Sequence, residues 1–151
     1  MTKATVLNDW PQPSSVPEPQ VYANDTALFL RYECVGEKIA VVKFPLVSVF
    51  KFGSPNDEAL GGHSLYGKGL EFYSVHQVED SEWIAELEQQ NAVHPGHNKE
   101  SFLRNKNHYI FTFQDTTLEC VATEGDHWKP EIEVFDSEDE AAEHWRQKTN
   151  A

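Results

Sequence analysis

Cysteine is scarce: Cys34 and Cys120 are the only two in 151 residues, too few for a framework of stapling disulfides. No charged-then-apolar leader opens the chain, so the expectation is a cytoplasmic protein with both thiols reduced. Each thiol then serves as a small buried hydrophobe. Basic side chains are also few, 12 Lys and Arg against 25 Asp and Glu, for a net charge of −13. That field repels a phosphate backbone and an anionic membrane surface unless a dense basic patch overrides it. The nearest approach to a patch, Lys99, Arg104 and Lys106, is diluted by Glu100. Neither nucleic acid nor membrane is an expected partner. Long apolar runs are missing too, since stretches such as Ile39 to Val42 fall far short of a membrane span. No internal repeat, low-complexity tract or specific catalytic, metal or nucleotide signature stands out.

What remains is ample material for one core. Hydrophobic residues make up 39% of the chain, with nine Phe, five Tyr and four Trp, and charged residues 25%. A chain of this size and composition folds as a single domain. Four of the eight prolines, Pro11, Pro13, Pro17 and Pro19, fall in the first twenty residues. Proline gives no ladder donor and breaks helices, so residues 1 to 26 read as an extended proline-rich arm, and Trp10 is placed to pack back on the body.

From Ala27 the pattern alternates with period two. Leu28, Leu30, Tyr32 and Cys34 share one face of a strand; Val35 to Lys38 turn on Gly36; Ile39 to Phe44 return. Pro45 predicts a bend before a third strand from Val47. Residues 53 to 69 form a long connection carrying Gly53, Gly61, Gly62, Gly67 and Gly69. Connections this long are uncommon unless they are functional or packed as Ω-loops. A strand over Glu71 to Val78 follows, then a short amphipathic helix capped by Asp80 or Ser81. His94 to Asn105 reads as irregular. His108 to Phe113 and Thr117 to Ala122 form the clearest hairpin, apolar on both faces and so central in its sheet. Glu131 to Phe135 makes a last strand, and Ser137 with Glu140 forms a capping box that opens a final helix. Consecutive strands joined by short turns predict an α+β domain over residues 27 to 151. Its sheet is mostly antiparallel, with about six to seven strands, and it carries two helices.

Several constellations carry chemistry in outline. Gly62-His63-Ser64-Leu65-Tyr66-Gly67-Lys68 matches the opening of a phosphate-binding loop, but Gly69 stands where a hydroxyl is needed and a strand follows where a helix should. His94 and His97 are three apart, short of a zinc pattern unless His63, His76, His108 or Asp57 converges on them, so no metal and no cofactor is expected. Cys120 near His108 suggests a thiol–imidazole pair, yet a mid-strand thiol beside Glu119 suits core packing better. Asn56, Asp57 and Glu58 could do acid–base work beside His63 but suit turn chemistry better, and with His63, Tyr66 and Lys68 they are the candidate binding residues. From residue 124 to 143 there are nine acids and one base, a field that would guide a basic protein or simply keep the chain soluble.

Two blocks carry a resemblance. Phe52-Gly53-Ser54-Pro55-Asn56-Asp57-Glu58-Ala59 runs on through Gly62-His63-Ser64-Leu65-Tyr66-Gly67-Lys68-Gly69-Leu70, and His108 to Ala122 forms the second. Together, over roughly residues 47 to 122, they resemble a family of small bacterial proteins with no established activity. The resemblance implies a bacterial, single-domain protein in which the Gly-rich loop has a task, and it brings no catalytic residues. The leading expectation is a non-enzymatic binding domain for a basic protein or a small molecule. The alternative is a small hydrolase or metal-assisted enzyme built on the Gly-rich loop, Asp57, Glu58, His63, His94 and His97.

Overall fold

A computed structural model describes residues 1–15 and 18–150. Alternation does the organising. In β3 (Leu28–Cys34) and β4 (Lys38–Phe44), Leu28, Leu30, Tyr32, Cys34, Ala40, Val42 and Phe44 point one way into the main core. Gly36 at φ +90° and Glu37 at φ +62° absorb the reversal between the two strands. The bend at Pro45 does more than interrupt a strand. It carries the chain out of one sheet and into β5 (Val47–Gly53), which belongs to another.

β6 (Val75–Glu79) leads through α1 (Glu82–Asn91) and α2 (Lys99–Arg104) into β7 (Lys106–Thr112) and β8 (Thr117–Thr123). β9 (Glu131–Phe135) and α3 (Glu138–Thr149) close the chain. Ser81 caps α1 and Ser137 caps α3, each hydroxyl accepting from the N–H three residues on. The α+β class and the antiparallel pairing agree with the sequence reading, and β7 lies at the centre of its sheet as the two apolar faces predict.

Sheet number, strand count and helix count differ from that reading. Among the described residues nine strands make two sheets, with order β1-β6-β7-β8-β5 in the first and β2-β3-β4-β9 in the second, every pair antiparallel. Part of the surplus comes from the segment read as an arm. β1 (Lys3–Val6) pairs with β6, and β2 (Gln20–Ala23) pairs with β3, so each sheet takes one strand from it. The prolines do not prevent this, because Pro11, Pro13 and Pro19 lie between the two strands, where a missing N–H costs no ladder bond. Pro17 lies outside the described residues. Trp10 does pack back: its ring stands 5.3 Å from that of Tyr109 and 6.1 Å from those of Phe44 and Phe111. The third helix, α2, lies in the segment read as irregular, with Asn98 as its cap.

The two sheets face each other across one core. Leu28, Leu30, Tyr32, Val42 and Phe44 of the second meet Val75, Tyr109, Phe111, Leu118 and Cys120 of the first. Cys34 and Cys120 are both buried and unbridged. α3 covers the far side of the second sheet, where His144 pairs with Glu133 at 3.5 Å and Arg31 pairs with Glu138. The far side of the first sheet is covered by the Gly-rich connection and α1. No helix among the described residues is long and apolar enough to cross a membrane.

Candidate functional site

Strand alternation sends Tyr109, Phe111 and Cys120 into the core, so His108 and Glu119 emerge on the opposite face of the first sheet. The Gly-rich connection closes over that face. Leu60, Leu65 and Leu70 from the connection join Ala4, Val78 and Ile110 in a second apolar cluster, which anchors it. Hydrogen bonds fix its entry to the β7–β8 hairpin: Asp57 N–H donates to the Gln114 carbonyl at 2.8 Å, and the Thr117 hydroxyl donates to that of Pro55 at 2.8 Å. A 3-10 helix, Asp57–Gly62, then delivers His63 to the sheet.

The result is a chain of polar groups, buried at His108 and Glu119 and half-buried at His63 and Ser81. Glu119 accepts from His63 Nε2 through Oε2 and from His108 Nε2 through Oε1, both at 2.8 Å. His108 Nδ1 lies 2.7 Å from the Ser81 hydroxyl, and His63 Nδ1 accepts from the Leu65 N–H at 3.0 Å. Burial opposes the charge on Glu119, but the hydrogen bonds from His108 and His63 outweigh it and hold the carboxyl down at about 2. An ionised Glu119 only accepts, so each imidazole presents Nε2–H to it. In neutral His108, Nδ1 is then the lone-pair nitrogen, and it accepts the Ser81 hydroxyl proton. The Ser81 oxygen in turn accepts from the Ile84 N–H at 3.2 Å.

This chain opens onto a pocket of about 250 Å³ between the Gly-rich connection and the start of α1. Lys51 and Lys68 stand on its lining with Trp83, Ser64, Glu82 and Glu86. The Trp83 ring meets the His108 ring edge-on at 5.2 Å between centroids, and Lys51 Nζ lies 4.5 Å above Trp83. An adjoining depression of about 330 Å³ shares Lys51, His63, Ser64 and Glu119. A second imidazole is buried nearby without reaching the pocket. His76 accepts from the Glu71 N–H at 2.9 Å and donates to the Ile110 carbonyl at 3.0 Å, and desolvation lowers its pKa.

Of the six candidate binding residues, His63 and Lys68 line the pocket. Asn56 caps the 3-10 helix by accepting from the Ala59 N–H at 3.0 Å, and Asp57 accepts from the Tyr73 hydroxyl at 2.5 Å. Glu58 is exposed, and Tyr66, 49% exposed, leans on Phe72 away from the pocket. The enzyme constellation anticipated from His63, Asp57, Glu58, His94 and His97 does not assemble. His97 bonds Glu88 at 2.7 Å and Asn91 at 2.8 Å, clipping the loop after α1 to that helix, and exposed His94 accepts from the Gly96 N–H. Among the described residues no group of three or more His, Cys, Asp or Glu is placed to hold a metal ion. Lys68 is followed by β6 without an intervening helix, unlike a phosphate-binding loop. Cys120 and His108 point to opposite faces of their sheet, and burial pushes the thiol pKa up.

Sequence reasoning missed Glu119, Ser81 in this role, Lys51 and Trp83. One signal was present: His108 and Glu119 are buried titratable side chains on the outer face of a hairpin whose other face is apolar. No protein-family model, curated protein or solved structure matches the chain.

Proposed function

We propose that the protein binds a small polar molecule bearing an anionic group, in the pocket between the Gly-rich connection and α1. The observation that carries this reading is the His63–Glu119–His108–Ser81 chain, buried at His108 and Glu119 and opening onto a pocket with Lys51 and Lys68 at its side. Burying His108 and Glu119 on the sheet face is costly even when they are satisfied, and packing alone is better served by aliphatic residues. Lys51 and Lys68 stand on a lining that also holds Glu82, Glu86 and Glu119, and their ammonium groups suit a ligand with a carboxylate or phosphate at one end. Two free, buried thiols favour a reducing compartment such as the cytoplasm as its setting.

A screen of small carboxylates and phosphate esters by thermal shift, followed by calorimetry, tests the proposal. A saturable rise in melting temperature, abolished in the double variant K51A/K68A, is the expected result. A flat response across the panel overturns it.

A basic protein partner is the second reading, favoured by the exposed Glu138, Asp139 and Glu140 in the first turn of α3. Much of the C-terminal acidity is already answered within the chain, where Lys43 pairs with Glu131, Lys38 with Asp136 and Arg146 with Glu143. A pull-down at two salt concentrations discriminates, since only a protein held by this field is released by salt.

A further inference from the structure

We infer that the pocket hydrolyses its ligand, a small carboxylic ester carrying an anionic group, with Ser81 as nucleophile, His108 as its general base and Glu119 orienting His108. This rests on the binding reading above and extends it. Ser81 sits where β6 turns into α1, at the N-terminus of a ten-residue helix. Ser81 lines the pocket, and its hydroxyl lies 2.7 Å from the imidazole nitrogen that bears the lone pair. The far nitrogen of the same ring is held by Glu119 at 2.8 Å. Nucleophile, base and orienting carboxylate thus stand in hydrogen-bond series, the geometry that activates a serine. The ring is turned relative to the familiar arrangement, with the hydroxyl on Nδ1 and the carboxylate on Nε2. Proton transfer needs only that one nitrogen accept while the other is held, and that condition is met.

His63 adds a second clamp. It donates to the other oxygen of Glu119, so the carboxylate cannot rotate away from His108. The N–H groups of Glu82 and Trp83, which follow the Ser81 cap in the first turn of α1, have no carbonyl partner within the helix. They are placed to receive the oxygen that becomes negative when a carbonyl is attacked.

The chemistry balances with water as the one co-reactant. The Ser81 oxygen bonds to the carbonyl carbon while its proton passes to His108 Nδ1. The adduct collapses by breaking the bond to the alcohol oxygen, which takes that proton and leaves. Water then gives a proton to Nδ1 and its oxygen to the acyl carbon, and the Ser81 oxygen recovers the proton as the acid departs.

A short-chain fluorophosphonate probe, with peptide mass spectrometry to locate the adduct, tests this directly. One adduct at Ser81 is expected in the folded protein, none after heat denaturation, and none in Ser81→Asn, which keeps a capping side chain for α1. His108→Gln should slow adduct formation and hydrolysis of p-nitrophenyl acetate about a hundredfold. Ser137→Ala, which alters only the cap of α3, should leave both unchanged. No adduct at Ser81 in folded protein, or an unaltered rate in His108→Gln, overturns the inference. Calorimetric binding of an anionic ligand without any adduct would sink the hydrolysis alone and leave the binding reading standing. Absence of both would sink the two together.

Discussion

Glu119 keeps its charge at the back of a mostly apolar sheet face because two imidazole N–H groups point at its two oxygens. The consequence is a pH-dependent stability. An unfolded chain protonates this carboxyl near 4.5, whereas the folded chain holds it ionised down to about 2. Between those values the unfolded state binds more protons. The stabilisation is therefore complete above about 4.5 and is lost as pH falls toward 2, on the order of 3 kcal/mol in all. Glu119→Gln should cost about 2 kcal/mol at neutral pH, because its amide sets a donor against an imidazole N–H. It should also flatten the acid limb below pH 4.5 in urea denaturation series. A limb as steep as in the parent protein would show that the two histidines do not hold the charge. His76 acts in a higher window. Its folded pKa lies below the ordinary 6.5, so it stays neutral while the unfolded chain takes up a proton, and stability should begin to fall below pH 6.5 in both proteins.

Gly69 matters for a steric reason. At φ +100° a side chain is already strained, and an added Cβ would come 1.8 Å from the carbonyl oxygen of Ala4 on β1. Gly69→Ala should cost about 3 kcal/mol or more by displacing β1, whereas Gly62→Ala, with nothing within 4 Å of the new carbon, should be nearly neutral. Thermal melts of the two variants decide it, and equal melting temperatures would contradict the close approach of the loop to β1.

At the scale of elements, the legible parts of the fold were those whose signal is local. The β7–β8 hairpin showed in the alternation of Tyr109, Phe111, Leu118 and Cys120, and the two long helices in Ser81 and Ser137, whose hydroxyls do accept from Ile84 and Glu140. β1 and β2 were not legible. Four residues each, Lys3–Val6 and Gln20–Ala23, are too short to show a period, and what recruits β1 lies far along the chain, in Glu79. The relay was hidden for the same reason. His63 and Glu119 stand 56 residues apart, and whether Glu119 faced the core or the loop depended on a register that the turn at Gln114–Thr116 sets. β1 offers the test at this scale. It covers one edge of β6 and contributes Ala4 to the cluster that seats the loop. Removing residues 1–7 should lower stability by about 3 kcal/mol and loosen the loop that carries His63. Faster hydrogen exchange confined to residues 57–70 and β6 would bear this out; unchanged exchange there would refute it.

The molecule as a whole is two sheets held by one shared core, each covered on its far side by different material: the Gly-rich connection and α1 over one, α3 over the other. That arrangement bears on cooperativity. Phe44, fully buried on the second sheet, packs its ring 5.1 Å from Tyr109 and 6.2 Å from Phe111 of the first, with Trp10 against all three. Neither sheet has an inner face that can be wetted while the other stays folded, so the two should unfold together. Tryptophan supplies independent reporters, since Trp83 lies at the pocket above the first sheet and Trp145 on α3 beside the second. Variants retaining one of these with the other three replaced should give coincident urea transitions. Phe44→Ala should shift both midpoints by the same amount, at a cost of about 4 kcal/mol. If the Trp83 transition instead came apart from that of Trp145, the shared core would not be what binds the sheets, and the pocket would have to owe its rigidity to the first sheet and its loop alone.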